Sequence, residues 1–464
     1  MASVKVVERL RVSPQPGVVP TTDLTLTYFD IIWLLISPNQ RLLFYRYNGT
    51  TQDFRNSHFS MLQRSLSLTL TLFHPIAGKL VPLKENDTDD LVIRYSDGDS
   101  VPITLAESHA DFDHLVGNHL KEVADLHPFV PELLPLSPED PEAKRQRPLL
   151  AIQVTVFPFS GICIGITLDH VVADGSSATN FLRTWASICK SGSGDVSVAK
   201  NLPLYDHALL GDLEELKRKW TDDLKKFQLG SYSDQWIPKE HRLNRVLLGT
   251  FLLTRTHVEK LRNLLTSSGY DVGPRPSTYT ITTAYVWVCA TKAQGVRKGE
   301  SVHFGFAVDC RSRLNPPVPA TYFGNCIGAS LVEASGNELT GENGFHVAAE
   351  AIHRTIQRME EGGEYLKETI YWLPKIIRIG PERILSVASS PRFKVYEADF
   401  GWGRPEKVDL VSIEKTGAIS LAESRDEEGG VQIGFVGPDV EMERFASIFE
   451  EGLKTLSSDS VLHV

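Results

Sequence analysis

"LLAIQVTVFPFSGICIGITLDHVVADGSS", residues 149–177, is where the fold of this chain can first be read. Two apolar runs flank "PFSG", and in the first of them Gln153 and Thr155 alternate with apolar neighbours. That pattern predicts two strands joined by a tight turn rather than one membrane-spanning helix. The second run ends on His170, and Asp174 and Gly175 follow within five residues. Titratable groups at a buried strand end are costly unless something there pairs or uses them. Next comes "SATNFLRTWASICK", in which Ala178, Phe181, Leu182, Trp185 and Cys189 fall at helical spacing and mark one inward face. In the second half "SVHFGFAVD" reads as another strand. Short β-like runs alternating with helical patterns make an α/β chain of mixed sheet and helices.

At 464 residues the chain is long enough for two or three domains. Residues 191–245 lack sustained apolar alternation, opening on "SGSGDVSVAKNLP" and turning Lys- and Asp-rich. They are expected to be a crossover between an N-terminal domain, 1–190, and a C-terminal domain, 246–464. "VRKGES" near residue 298 reads as a further loop. With 42% apolar and 23% charged residues the composition is that of a soluble globular protein. A balance of 48 basic against 58 acidic residues, net −10, argues against a nucleic-acid partner. The five cysteines (163, 189, 289, 310 and 326) are odd in number and show no CxxC pair or Cys/His metal spacing. Buried reduced thiols, and no metal, are expected. The N-terminus "MASVKVVERLRVSPQPG" has no apolar signal-peptide core, so a cytoplasmic protein without membrane attachment is expected, in which the sequons "NGT" and "NDT" would be idle; a monomer is expected as well.

No nucleophile elbow GxSxG, HExxH, Walker loop or dinucleotide GxGxxG is present. The lone SxxK, Ser187 to Lys190, sits inside the helical pattern without companion motifs and reads as chance; "DTDD", Asp87 to Asp90, reads as a solvated loop. His170 stands out by position: a strand end before a glycine-bearing turn is where side chains face clefts. A neutral imidazole there can take a proton from a hydroxyl near pH 7, although a core histidine satisfied by backbone is the plain alternative. Asp174 either orients that imidazole or pairs with an arginine and holds the turn. Two further stretches carry candidates. In "DFGWGRP", 399–405, glycines flank Trp402; in "DCRSRLNPPVPATYFGNC", 309–326, Arg311 and Arg313 are spaced as same-face strand neighbours.

"HVVADG", "YFGNC" and "DFGWG", in this order and at these separations, resemble the plant BAHD acyltransferases, which transfer acyl groups from coenzyme A thioesters. The resemblance runs from "LTYFDIIWL" and "HPIAGKL" to "DFGWG" and beyond, and "YFGNC" with the "YFD..WL" opening resembles the branch acylating sugars of anthocyanins and other flavonoid or phenolic glucosides. It implies two chloramphenicol-acetyltransferase-like domains with a channel between them. It implies His170 as general base, deprotonating an acceptor hydroxyl that attacks the thioester directly, with acyl-CoA as co-substrate and no permanently bound cofactor. It implies that Asp174 pairs with an arginine, Arg311 before Arg313, beside Gly175. Under that scheme the Trp402 N–H is a fixed donor for the oxyanion, on a loop shaped by Asp399, Gly401 and Gly403. For coenzyme A the resemblance points to Lys260, Ser277 and Thr278. The expected acyl group is malonyl in preference to hydroxycinnamoyl, and the acceptor a small-molecule phenolic glycoside. A hydrolase using the same His170, and a non-catalytic phenolic-binding protein of this fold, are the competing readings.

Overall fold

The computed structural model describes residues 3–83, 91–134, 146–192, 194–226, 245–296, 299–361, 372–380 and 384–458. "DTDD", the end of the crossover (227–244) and part of "VRKGES" lie outside the described residues. Strands Leu150–Phe157 and Gly161–Leu168 form an antiparallel hairpin closed by residues 158–160, with Phe157 opposite Gly161. Both strands are almost wholly buried, because they are central in a six-stranded sheet. Its order is Val4–Val12, Val101–Ser108, Leu150–Phe157, Gly161–Leu168, Asn39–Arg46, Lys407–Leu410. Helices Ser60–Leu72 and Gly175–Ser191 pack on this sheet, and Trp185, at 0% exposure, donates its N–H to the Leu62 carbonyl at 3.2 Å.

A second sheet runs Ser420–Glu423, Val431–Pro438, Val246–Leu253, Lys121–Glu122, and a third Ile327–Ser335, Ser301–Asp309, Ile384–Val387. Helix Thr278–Gln294 is buried almost all round, packed against helices Gly344–Glu361 and Asp439–Ser458, the environment that an apolar helix without a polar face demands. Two short strands trade places: Lys407–Leu410 pairs with Asn39–Arg46, and Lys121–Glu122 pairs with Val246–Leu253. A small core containing Leu42, Phe44, Leu248, Leu410 and Val436 fills the space where these sheets meet.

The stretch 191–245 holds more order than its composition suggests. Helix Glu214–Lys226 forms within it, burying Trp220 edge-on against Tyr28 at 5.9 Å between ring centres, with Leu216 and Leu224 on the same face. Only three apolar positions mark that face among many charges, which is why alternation alone does not show it. All five cysteines are buried and free. Among the described residues no helix is long and apolar enough to cross a membrane.

Candidate active site

His170 lies two residues past the end of strand Gly161–Leu168. Asp169 pins that strand end, since its carboxylate pairs with Arg147 at 2.7 Å and accepts the Val171 N–H at 3.0 Å. The chain then turns into helix Gly175–Ser191, whose N-cap is Asp174: its Oδ1 accepts the Ser177 N–H at 2.9 Å. The other oxygen of Asp174 meets Arg311 Nη1 at 2.8 Å and accepts the Cys326 N–H at 3.2 Å. Both side chains are buried, and Arg311 spends its remaining donors on Ser177 Oγ, the carbonyls of Tyr322 and Gly324, and Asp309. Burial opposes the Arg311 charge, yet Asp174, with help from Asp309, raises the guanidinium's pKa on balance.

Arg313 takes no part in this pair. The strand ends at Asp309 and the chain turns, with Arg313 N–H and Leu314 N–H both bonded to the Cys310 carbonyl. The two arginines are therefore not same-face strand neighbours: Arg311 points inward, while Arg313 is exposed and bonds the Asp309 carbonyl at 2.8 Å.

A cavity of about 900 Å³ opens between the six-stranded and three-stranded sheets. His170, Trp33 and Gly175 line it, Asp174 and Arg311 meet in its wall, Phe393 packs beside Gly175, helix Glu214–Lys226 adds Trp220, and Ser277, Thr278, Arg313 and Arg392 also belong to the lining. Gly175 is needed for room, because a Cβ there would fall 2.5 Å from the Phe393 ring. The His170 ring stacks on Trp33 with centres 3.5 Å apart and planes 10° from parallel. Its Nδ1 is sealed from solvent and makes no hydrogen bond among the described residues. Burial lowers the imidazole pKa to about 4, against a weaker upward pull from its own carbonyl, Asp174 and Asn325. At pH 7 the ring is neutral.

Three residues of this site carry no role in the sequence reading: Asp30, Trp33 and Asn325. The Asn325 Nδ2 group donates to the carbonyls of His170 and Val171 at 2.9 and 3.1 Å, and to Asp30 Oδ1 at 2.9 Å. Asp30 in turn accepts from the Thr27 N–H and hydroxyl, both at 2.6 Å, and burial pushes its carboxyl pKa up. The "YFD..WL" and "YFGNC" stretches thus meet at the backbone of His170. The one sequence signal was that each places a polar side chain beside aromatic and apolar neighbours, where an unpaired group is costly.

The coenzyme A candidates separate. Ser277 caps helix Thr278–Gln294, accepting the Thr280 N–H at 3.0 Å, and Thr278 Oγ1 accepts from Arg262 at 3.3 Å; both line the cavity. Lys260 does not line it, and its ammonium donates to the Leu456 carbonyl at 3.4 Å.

Trp402 also lies off the cavity lining. Its N–H donates to His58 Nδ1 at 3.3 Å, and its ring packs against Tyr45, Phe54 and Phe400. Asp399 shapes the loop: one oxygen accepts the N–H groups of Gly401 and Gly403 at 2.8 and 2.9 Å, and the other meets Lys190 at 2.6 Å. Both glycines have positive φ, +107° and +92°, which side-chain-bearing residues rarely adopt. Lys190, the end of the chance SxxK, thus serves the loop. The Trp402 N–H, expected to meet the reacting carbonyl, is bonded to His58 in this arrangement.

The model of the Transferase family matches residues 2–452. The chain is 36% identical to phenolic glucoside malonyltransferase 1 of Nicotiana tabacum, over 91% of this chain and 92% of that protein. It is 34% identical to the coumaroyl-CoA:anthocyanidin 3-O-glucoside-6''-O-coumaroyltransferase 1 of Arabidopsis thaliana, over 98% of each. Among solved structures, vinorine synthase superposes with a TM-score of 0.68 at 21% identity, covering 95% of this chain and 96% of that one. TRI101 of F. sporotrichioides, complexed with coenzyme A and T-2, superposes with a TM-score of 0.62 at 16% identity, covering 92% and 97%.

Proposed function

Since this chain belongs to the Transferase family, the BAHD acyltransferases with their two chloramphenicol-acetyltransferase-like domains, we propose that it moves an acyl group from a coenzyme A thioester to a sugar hydroxyl of a phenolic, flavonoid or anthocyanin glucoside. The observation that carries the proposal is His170, a neutral imidazole on the wall of a cavity of about 900 Å³. With Nδ1 sealed, Nε2 is the nitrogen it offers to the cavity. Nε2 takes the proton of the acceptor hydroxyl as that oxygen attacks the thioester carbonyl. The tetrahedral intermediate collapses by breaking the C–S bond, and the departing thiolate takes the proton back from the imidazolium. No acyl-enzyme is required, which agrees with the missing nucleophile elbow.

Asp174 and Arg311 hold the turn that carries His170. Asp399, Gly401 and Gly403 hold the Trp402 loop, and we assign Trp402 to packing rather than to the reacting carbonyl. The coenzyme A thioester runs past Ser277 and Thr278, and Lys260, off the cavity lining, is left for a phosphate at its outer end. A cytosolic setting is supported by the five buried free thiols.

Malonyl is the acyl group we favour. It is supported by relatives named as malonyltransferases, including one of Dahlia pinnata at 34% identity, and by the Arg392 guanidinium on the cavity wall, which suits a free carboxylate. A coumaroyl group is the second reading, favoured by the coumaroyltransferase relative and by apolar lining such as Phe306, Phe393 and Ile327. Incubation with malonyl-CoA or p-coumaroyl-CoA, with and without a panel of phenolic glucosides, decides. Thiol release that needs the glucoside supports transfer. Release without it means a hydrolase, and no release with either donor overturns both donor assignments.

A further inference from the structure

We propose that Trp33 stabilises the protonated imidazole of His170 through the face of its indole, a role that rests on the general-base reading of His170. The reaction requires His170 to become a cation in a site that strongly favours its neutral form. The nearest countercharge is shared with Arg311, and Asp174 offsets burial only weakly. Asp174 commits its oxygens to Arg311, Cys326 and Ser177. Asp30 is bonded to Thr27 and Asn325. Among the described residues no carboxylate forms an ion pair with His170. What does face the ring is the indole of Trp33, nearly parallel at 3.5 Å between centres. The negative face of an indole attracts a cation laid over it, and most strongly where water is excluded.

The placement of Trp33 supports contact through its face rather than its N–H. Trp33 lines the cavity and lays the face of its indole, not its buried N–H, over the His170 ring. The same short element also fixes the partner. Asp30 of helix Tyr28–Ile31 anchors Asn325, Asn325 ties down the carbonyls of His170 and Val171, and Trp33 follows in the turn Ile32–Leu34. One segment therefore holds the backbone of the base and covers its ring.

The test is a series at one position. Trp33→Leu should lower kcat by about 3- to 30-fold, the range of a cation–π contact from exposed to dry surroundings. KM for the acyl-CoA should stay within about twofold, because the contact matters only once the charge has formed. Trp33→Phe, which keeps a weaker aromatic face, should recover a substantial part of the loss. Growth on fluorinated tryptophans adds a readout that packing does not move. The kcat of the wild-type chain should fall stepwise with ring fluorination, while Trp33→Phe, still carrying the six other labelled tryptophans of the seven, should not respond. Equal kcat in the Leu and Phe variants, or a fluorine series that is flat or identical in Trp33→Phe, overturns the proposal. Should the Leu variant fail to fold, the fluorine series on the wild-type chain still decides. His170→Ala run in parallel keeps the failures apart: surviving activity there removes the base itself, whereas a dead His170→Ala with a flat fluorine series removes only Trp33.

Discussion

Replacing Asp174 with alanine tests the reading that this residue holds the turn rather than acting on the imidazole. Its side chain is fully buried, and Arg311 beside it is 4% exposed. Removing one partner of such a pair leaves a buried charge uncompensated, at about 3–5 kcal/mol. The variant also loses the N-cap of helix Gly175–Ser191, a further ~1 kcal/mol. Arg311 keeps carbonyl contacts and Asp309, whose side chain is 55% exposed and so compensates weakly. A total of about 4 kcal/mol is expected, read as a lowered urea midpoint, together with loss of turnover as the His170 turn shifts. Asp174→Asn restores the cap but not the charge, and should recover only ~1 kcal/mol. The double variant Asp174→Ala, Arg311→Met removes the orphaned charge and should be more stable than Asp174→Ala alone. An Asp174→Ala protein that melts like the parent yet is inactive would refute this account and make Asp174 a direct partner of His170.

Two further outcomes follow from the same geometry. With the imidazole held near 4, kcat/KM should rise as pH climbs through about 4–5 and be flat from 6 to 8; an acid limb at 6.5 or above would show that burial does not control this group. Stability carries the same sign: between pH 4 and 6.5 the unfolded chain binds a proton at residue 170 that the folded chain refuses, so stability falls as pH drops through that window. Trp402→Phe loses the hydrogen bond to His58 and should cost ~1 kcal/mol with kcat nearly unchanged; a kcat fall of about 100-fold with normal stability would return the indole to the chemistry.

The hairpin is legible because two apolar runs are split by a turn signal, and the helix after it because its apolar residues keep one period over a dozen residues. His170 is legible because a titratable group at the end of an apolar strand breaks the pattern. The Asp174–Arg311 pair is only half legible. Spacing puts Arg311 and Arg313 on one face of a strand, but the turn after Asp309 sends them apart, and turn geometry depends on carbonyls that no periodicity reports. Trp33 and Asn325 reach His170 only through tertiary contact between distant segments. The Trp402 loop is legible by its glycines and indole, but the partner of its N–H, His58 of the helical turn Arg55–Phe59, comes from a distant segment that no local pattern reports. Helix Glu214–Lys226 goes unread because Leu216, Trp220 and Leu224 are outnumbered by charges.

The most direct measurement is the turnover of His170→Ala with the acyl-CoA and glucoside that the wild-type chain uses, beside its affinity for coenzyme A. A positioned general base contributes about 10²–10⁴-fold, so kcat should fall by that factor while coenzyme A binds nearly as before. A folded His170→Ala protein that keeps half its activity would contradict the account at its centre.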